Sequence, residues 1–183
     1  ELLALYDAAW IPDLYESGTQ REAYYARGRE ILKVFYESEK DHWTVPEVLE
    51  GSFRVQVGGE FIRGRIDRID RLENGTLEII DYKTGNSKEK LSGEDKEQLL
   101  IYQIAVQALP EYRSLGPVGK LTLYYLNDNV KTSFTGSGTE IEKLKEKIGN
   151  LTRRIRNQEF LPAPNAHVCA HCSFRDICEF RAI

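Results

Sequence analysis

The spacing of apolar and polar positions changes several times along the chain, and each change marks an element. Over residues 21–38, Tyr24, Ile31, Leu32 and Phe35 can share one face of a helix. The period then falls to two. Phe53-Arg54-Val55-Gln56-Val57 alternates, Gly58-Gly59 is a hairpin signal, and residues 61–70 alternate again. Asn74-Gly75 is the strongest two-residue turn in the chain, with residues 76–83 as the returning strand. A polar loop over 84–93 leads into a helix at 94–109, whose buried stripe is Leu99, Tyr102, Ala105, Val106 and Leu109 and which Pro110 ends. Residues 121–126 form the next strand, which turns at Asn127-Asp128-Asn129 into a short partner at 130–134. Thr139-Glu140-Ile141-Glu142 reads as a capping box, opening a helix with Ile141, Leu144, Ile148, Leu151 and Ile155 at helical spacing. The expected fold class is α+β: a mainly antiparallel central sheet flanked by helices, with a Cys-rich tail after Phe160.

Composition narrows the class. The 183 residues suffice for one full core, and 41% hydrophobic with 30% charged residues describes a soluble globular chain. No apolar stretch approaches the ~20 residues of a membrane span, so no membrane association is expected. The start, Glu1-Leu2-Leu3-Ala4-Leu5, lacks the basic region and cleavage site of a signal peptide. The chain holds no Met, which predicts a piece of a longer polypeptide. A net charge of 25 − 29 = −4 argues against gripping nucleic acid over the whole surface, while leaving room for a local basic groove. All three cysteines fall in the last fifteen residues, a clustering that suits a reducing, cytoplasmic compartment and a metal or cluster site.

Two adjacent strands carry the most informative chemistry. Gly64-Arg65-Ile66-Asp67-Arg68 lies on one, and Ile79-Ile80-Asp81-Tyr82-Lys83-Thr84-Gly85 on the next. Asp81 and Lys83 are two apart and so project from one face of a strand. Asp67 precedes the same turn, so pairing about Asn74-Gly75 can bring the two carboxylates together near the sheet's end. Two acids with a lysine at short range suit a hard cation such as Mg²⁺, and the lysine could position or deprotonate a water for attack on a phosphodiester. The alternative is an exposed strand whose Asp and Lys are solvated. Arg63, Arg65, Arg68 and Arg71 add cations, each able to contact phosphate or simply to pair with Asp70, Glu73 or Glu78. Alternation puts Arg63, Arg65 and Arg71 on a face that Arg68 does not share.

The set G-R-I-D-R, then I-I-D-Y-K-T-G, then Gln98-Leu99-Leu100-Ile101-Tyr102 resembles the RecB-type branch of the PD-(D/E)XK nuclease superfamily over roughly residues 43–126. The resemblance implies a restriction-endonuclease-like core. It implies metal binding by Asp67 and Asp81, with the main-chain carbonyl of Tyr82 as a further ligand, and a catalytic role for Lys83. Gln98 and Tyr102 match the helix motif that supports the active site and touches the DNA backbone. Glu50, in Glu50-Gly51-Ser52-Phe53, resembles a motif acid behind the site, the alternative being a solvated side chain. Arg65 and Arg68 are candidate DNA contacts.

Cys169, Cys172 and Cys178 form C-x2-C-x5-C, which in many RecB-type nucleases supplies three of four ligands to a 4Fe–4S cluster. The fourth cysteine of that pattern is absent here, as is the G-x-x-x-H motif whose histidine helps bind the catalytic metal: Gly28 is followed four residues on by Leu32. His167 or His171 could instead complete a zinc site, or the thiols could be free. The expected organisation is a nuclease core over 1–160, N-terminally incomplete, with a Cys-rich segment over 161–183 on the same domain. The expected function is a Mg²⁺- or Mn²⁺-dependent deoxyribonuclease, exonuclease before endonuclease, weakly active or inactive as this fragment. The resemblance is strongest to the C-terminal domain of UvrD/Rep-type helicase–nucleases in recombination and repair, which implies DNA and an ATP-dependent helicase motor as partners. The rivals are a standalone CRISPR-associated nuclease and a non-catalytic module that guides DNA past a motor.

Overall fold

The computed structural model describes residues 1–89, 91 and 93–182. Lys90 and Ser92, in the polar loop expected over 84–93, and Ile183, at the end of the Cys-rich segment, lie outside the described residues. The chain begins with α1 (Leu2–Ala9), a single 3-10 turn (Pro12–Leu14) and the long α2 (Gly18–Glu39). Helix α2 starts earlier than its apolar spacing suggests because the Ser17 hydroxyl accepts from the Gln20 N–H at 3.1 Å and caps the first turn. Its inward stripe runs through Tyr25, Leu32 and Phe35, whereas Tyr24 is largely exposed. Tyr25 thus takes the place expected for Tyr24.

Five strands form one sheet in the order β1 (Val48–Val57), β2 (Glu60–Arg71), β3 (Leu77–Lys83), β4 (Val118–Tyr125) and β5 (Val130–Phe134). Neighbours are antiparallel except β3 and β4, which run parallel. A parallel pair needs a long crossover, and α3 (Gly93–Ala108) supplies it. Asn74-Gly75 turns β2 into β3 as expected, with Gly75 at φ 80° and the Asn74 side chain accepting from the Thr76 N–H.

The core lies between the sheet and α3. Ile69, Leu77, Ile79, Leu121 and Leu123 from the strands meet Leu99, Ala105 and Val106 from the helix, all fully buried. Leu109, expected in the buried stripe, is only half-buried. Pro110 does break the helix, but it also opens a four-residue successor, α4 (Pro110–Arg113), because a proline at the first helical position lacks only an N–H that would be unpaired anyway. In α5 (Gly138–Arg156) the capping box is Ser137 with Glu140, two residues before the Thr139–Glu142 pair read from the sequence. Ile141 and Leu144 are buried in the core, while Leu151 and Ile155, farther along the helix, are exposed.

Alternation breaks in β2 at the level where it also breaks in β1. Ile66 and Ile69 are both fully buried although three residues apart, so the inward side of the strand switches across Asp67-Arg68. Glu50, opposite this point on β1, has a left-handed backbone with φ 51°. The switch also separates the arginines expected on one face. Arg63 and Arg65 now oppose the buried side, whereas Arg71 has the parity of Ile69 and pairs with Glu47 at 2.6 Å.

Candidate active site

The β2–β3 ladder ends with Arg68 opposite Ile80. One step further, where the strands part, stand Asp67 and Asp81. The Tyr82 N–H has left the ladder there and donates to Asp67 Oδ2 at 2.9 Å, so the carboxylate satisfies backbone that the splayed strand cannot. The β1–β2 register, Leu49 with Arg68 and Gly51 with Ile66, puts Glu50 at the same level. Glu50, Asp67 and Asp81 therefore form a row across three strands. The Glu50 side chain does not join the pair; it is exposed, with an oxygen 3.4 Å from the Arg65 guanidinium.

Asp81 is 2% exposed. Its Oδ1 accepts from Gln98 Nε2 at 2.9 Å and from the Tyr102 hydroxyl at 3.4 Å. Gln98 Nε2 also donates to the Tyr102 hydroxyl at 2.8 Å, and Lys83 Nζ donates to Gln98 Oε1 at 2.6 Å. Four-residue spacing on α3 places Gln98 and Tyr102 on the face that meets the strand end. Asp81 Oδ2 is different. The Lys83 ammonium lies 2.7 Å away as a charge partner, but the alignment is not that of a hydrogen bond, and the buried oxygen has no hydrogen-bond partner. Such an atom is rare in a folded protein and points to a missing ligand.

The electrostatics agree. Burial pushes the Asp81 carboxyl above its ordinary range, the Lys83 ammonium pulls it back, and the neighbouring Asp67 pushes it up again. Asp67 Oδ1 accepts no hydrogen bond among the described residues, and Asp81 Oδ2 is held there only by the Lys83 ion pair. No group of three or more His, Cys, Asp or Glu side chains converges among the described residues. Two neighbouring carboxylates, each with one oxygen that accepts no hydrogen bond among the described residues, fit a small hard cation that retains waters, the donor set Mg²⁺ accepts.

Other expected residues fall elsewhere. The Tyr82 ring lies on the opposite face of the sheet, against Phe35 and Tyr124, so only its main chain is near Asp67. Arg68 is on that face too, bonded to Asp70 at 2.8 Å and to the Thr44 hydroxyl at 2.9 Å, with its side chain 12% exposed. Arg65 is exposed two residues before Asp67 on β2, 3.4 Å from the Glu50 carboxylate. Two neighbours of Lys83 were not legible in the sequence. Asp95 Oδ1, from the first turn of α3, is 4.0 Å from Nζ, and Tyr125 stands beside Lys83 in the parallel register with its hydroxyl buried and without a hydrogen-bond partner among the described residues. The i, i+3 spacing of Asp95 and Gln98 was a usable signal for the first; nothing local marks the second.

In the tail, Asn165 caps α6 (Ala166–Ala170) through the Val168 N–H at 2.9 Å. Cys169 and Cys178 are half-buried free thiols, and Cys172 is exposed. The expected convergence of Cys169, Cys172 and Cys178 with a histidine or a further ligand is not found among the described residues. His171 Nδ1 lies 3.0 Å from the His167 carbonyl instead, and Phe174, Ile177 and Phe180 are exposed rather than covering the thiols.

A family model described as the PD-(D/E)XK nuclease superfamily matches residues 1–179. The Gene 69 protein of Mycobacterium phage L5 is 28% identical over 136 residues, covering 71% of this chain and 43% of the phage protein. The chain thus spans less than half of that relative. Two crystal structures share the fold. SSO0001 superimposes with a TM-score of 0.51 at 24% identity, over 90% of this chain and 75% of the other. The "Putative exonuclease" of Eubacterium rectale superimposes with a TM-score of 0.56 at 14% identity, over 88% and 62%.

Proposed function

We propose that this chain, which belongs to the PD-(D/E)XK nuclease superfamily, hydrolyses DNA phosphodiester bonds at the end of strand β3. The observation that carries this reading is the buried Asp81 Oδ2, without a hydrogen-bond partner between Lys83 and the acid row. Asp67 and Asp81 would hold Mg²⁺ or Mn²⁺, and the Tyr82 carbonyl is the candidate further ligand. When bound, the cation supplies charge neutralisation at the phosphate and a more acidic water. Asp81 is fixed by Gln98 and Tyr102, so its free oxygen keeps its aim. Lys83, held through its bond to Gln98 Oε1, presents a cation to the attacked phosphate and orients the incoming water. Gln98 thereby couples the acid to the lysine, and Tyr102, with its hydroxyl at both Gln98 and Asp81, braces the pair.

The finer reading is an exonuclease acting on a strand delivered by a helicase motor in the same polypeptide or complex, in recombination and repair. It is supported by the G-R-I-D-R, D-Y-K and Q-x-x-x-Y set. Arg65, exposed beside the row, is the remaining candidate for a backbone contact, since Arg68 is bound to Asp70. A 4Fe–4S cluster on Cys169, Cys172 and Cys178 forms no part of the proposal. The test is digestion of end-labelled single-stranded and duplex DNA with Mg²⁺, Mn²⁺ or chelator, in parallel with Lys83→Ala. Metal-dependent cutting that disappears in the variant supports the reading. Cutting that survives in chelator or in the variant overturns the assignment of the site, and DNA binding without cutting favours a guiding module.

A further inference from the structure

A cavity of about 770 Å³ lies apart from the acid row. It lies between the N-terminal helices and the ends of β3 and β4, and its volume is within the ~300–1,000 Å³ usual for ligand sites. One wall is aromatic. Trp10 stacks on Tyr15 with centroids 5.0 Å apart and rings 11° from parallel, and Tyr15 continues to Tyr24 at 5.6 Å. The opposite wall includes Thr84 and Asn127, and Thr84 directly follows Lys83. Consecutive Cα atoms are about 3.8 Å apart, so the cavity reaches the strand end that carries Lys83, from the α2 side of the sheet.

This wall is held in place. Asp7 of α1 bonds to Arg29 and accepts from the Tyr25 hydroxyl at 2.6 Å, which pins α1 to α2. Gly28 permits the close contact: a Cβ there would lie 2.2 Å from the Tyr6 hydroxyl oxygen. Arg27 lines the cavity and makes no ion pair among the described residues. On a chain of net charge −4, an uncompensated cation beside stacked rings is a local preference for an anion with flat apolar faces.

We infer that this cavity holds an unpaired base of the substrate strand next to the phosphate at Lys83, with the base against the Trp10–Tyr15–Tyr24 wall and a flanking phosphate near Arg27. The inference rests on the reading of the chain as a nuclease and specifies its substrate as single-stranded at this point. Aromatic stacking holds bases of any sequence, and duplex DNA has no free face to offer.

The chain has two tryptophans, so Trp43→Phe leaves Trp10 as the sole reporter. Its fluorescence is titrated in EDTA with an oligothymidylate strand, an abasic strand of equal length and a duplex. Saturable quenching by oligothymidylate is expected, about tenfold weaker with the abasic strand or the duplex. Tyr24→Ala should weaken it about tenfold, and Tyr24→Phe should restore it; Tyr24 is 57% exposed, so neither change threatens folding. Equal affinity for the abasic strand, or unchanged Trp10 emission while a gel shift shows binding, overturns the inference. Cutting in Mg²⁺ or Mn²⁺ with Trp10 emission unchanged overturns the cavity site alone. Quenching by a protein that cuts under neither metal keeps the site and overturns the nuclease reading.

Discussion

The two faces of the sheet each bury an acid beside a cation, and they treat it differently. On the α2 side, Asp70 bonds to Arg68 at 2.8 Å and to the Thr44 hydroxyl at 3.0 Å. Nearby, Glu78 accepts from the Thr122 hydroxyl and pairs with Lys120 at 3.0 Å. On the α3 side, Asp81 is buried as deeply but keeps one oxygen without a hydrogen bond, and the Tyr125 hydroxyl two strand positions along is also unpartnered. A saturated polar cluster stabilises; an unsaturated one is held ready for something else. That difference separates Arg68 from Lys83 as candidates for chemistry.

The largest test of this contrast is activity. Lys83→Ala should lower the cleavage rate about a thousandfold, as expected for a group that aids proton transfer or charge in the transition state. Asp70→Ala should leave the rate per folded molecule within about a factor of two. If both variants lose activity alike in initial-rate assays, the two faces are not functionally distinct. The second test reverses the order. Asp70→Ala strands a nearly buried guanidinium and should destabilise by about 3 kcal/mol, read as a lower urea midpoint at unchanged slope.

A third comparison uses neighbours that point to opposite faces. The Tyr124 hydroxyl bonds to Asn129 at 2.6 Å and to Glu39 at 3.0 Å, and burial pushes its ionisation up to about 12. Tyr124→Phe should cost about 1–2 kcal/mol, whereas Tyr125→Phe removes an unpaired hydroxyl and should cost nothing. Equal losses in thermal melts would mean that the Tyr125 hydroxyl is satisfied in solution.

The smallest effect concerns pH. Because burial raises the Asp81 carboxyl above its unfolded value near 3.8, the native state holds that proton longer. Without metal, stability should therefore fall as pH rises from about 3.8 through the raised value. Asp81→Asn should lack this decline, so the variant gains on the parent as pH rises. A parent that gains instead would show that Lys83 alone stabilises the carboxylate and that the site has no need of a cation.

Much of the architecture was legible because it depends on local spacing. The hairpin at Asn74-Gly75, the stripe of α3 and the strand running into Asp81-Tyr82-Lys83 follow from period and turn chemistry. Tyr24 was misplaced because adjacent tyrosines fit a helical stripe almost equally well, and only contact with α1 chose Tyr25. The capping box was offset because Ser137, Thr139, Glu140 and Glu142 offer overlapping pairs that local sequence cannot rank. In the tail, C-x2-C-x5-C spacing permits convergence but does not dictate it, and Phe174 and Ile177 beside the thiols are exposed.

By itself, then, the sequence determined which residue types stand on which strand and how far apart: Asp67 and Asp81 on either side of one turn, Lys83 two beyond, Gln98 and Tyr102 four apart on a helix. Those are short-range properties of a chain with periods of 2 and about 3.6. The tertiary structure decided which of these groups are satisfied. The parting of β2 from β3, the parallel pairing of Lys83 with Tyr125 and the closure of α3 over Asp81 are long-range events. Only they could leave one buried oxygen of Asp81 without a hydrogen bond among the described residues while giving Asp70, eleven residues earlier, bonds to both Arg68 and Thr44.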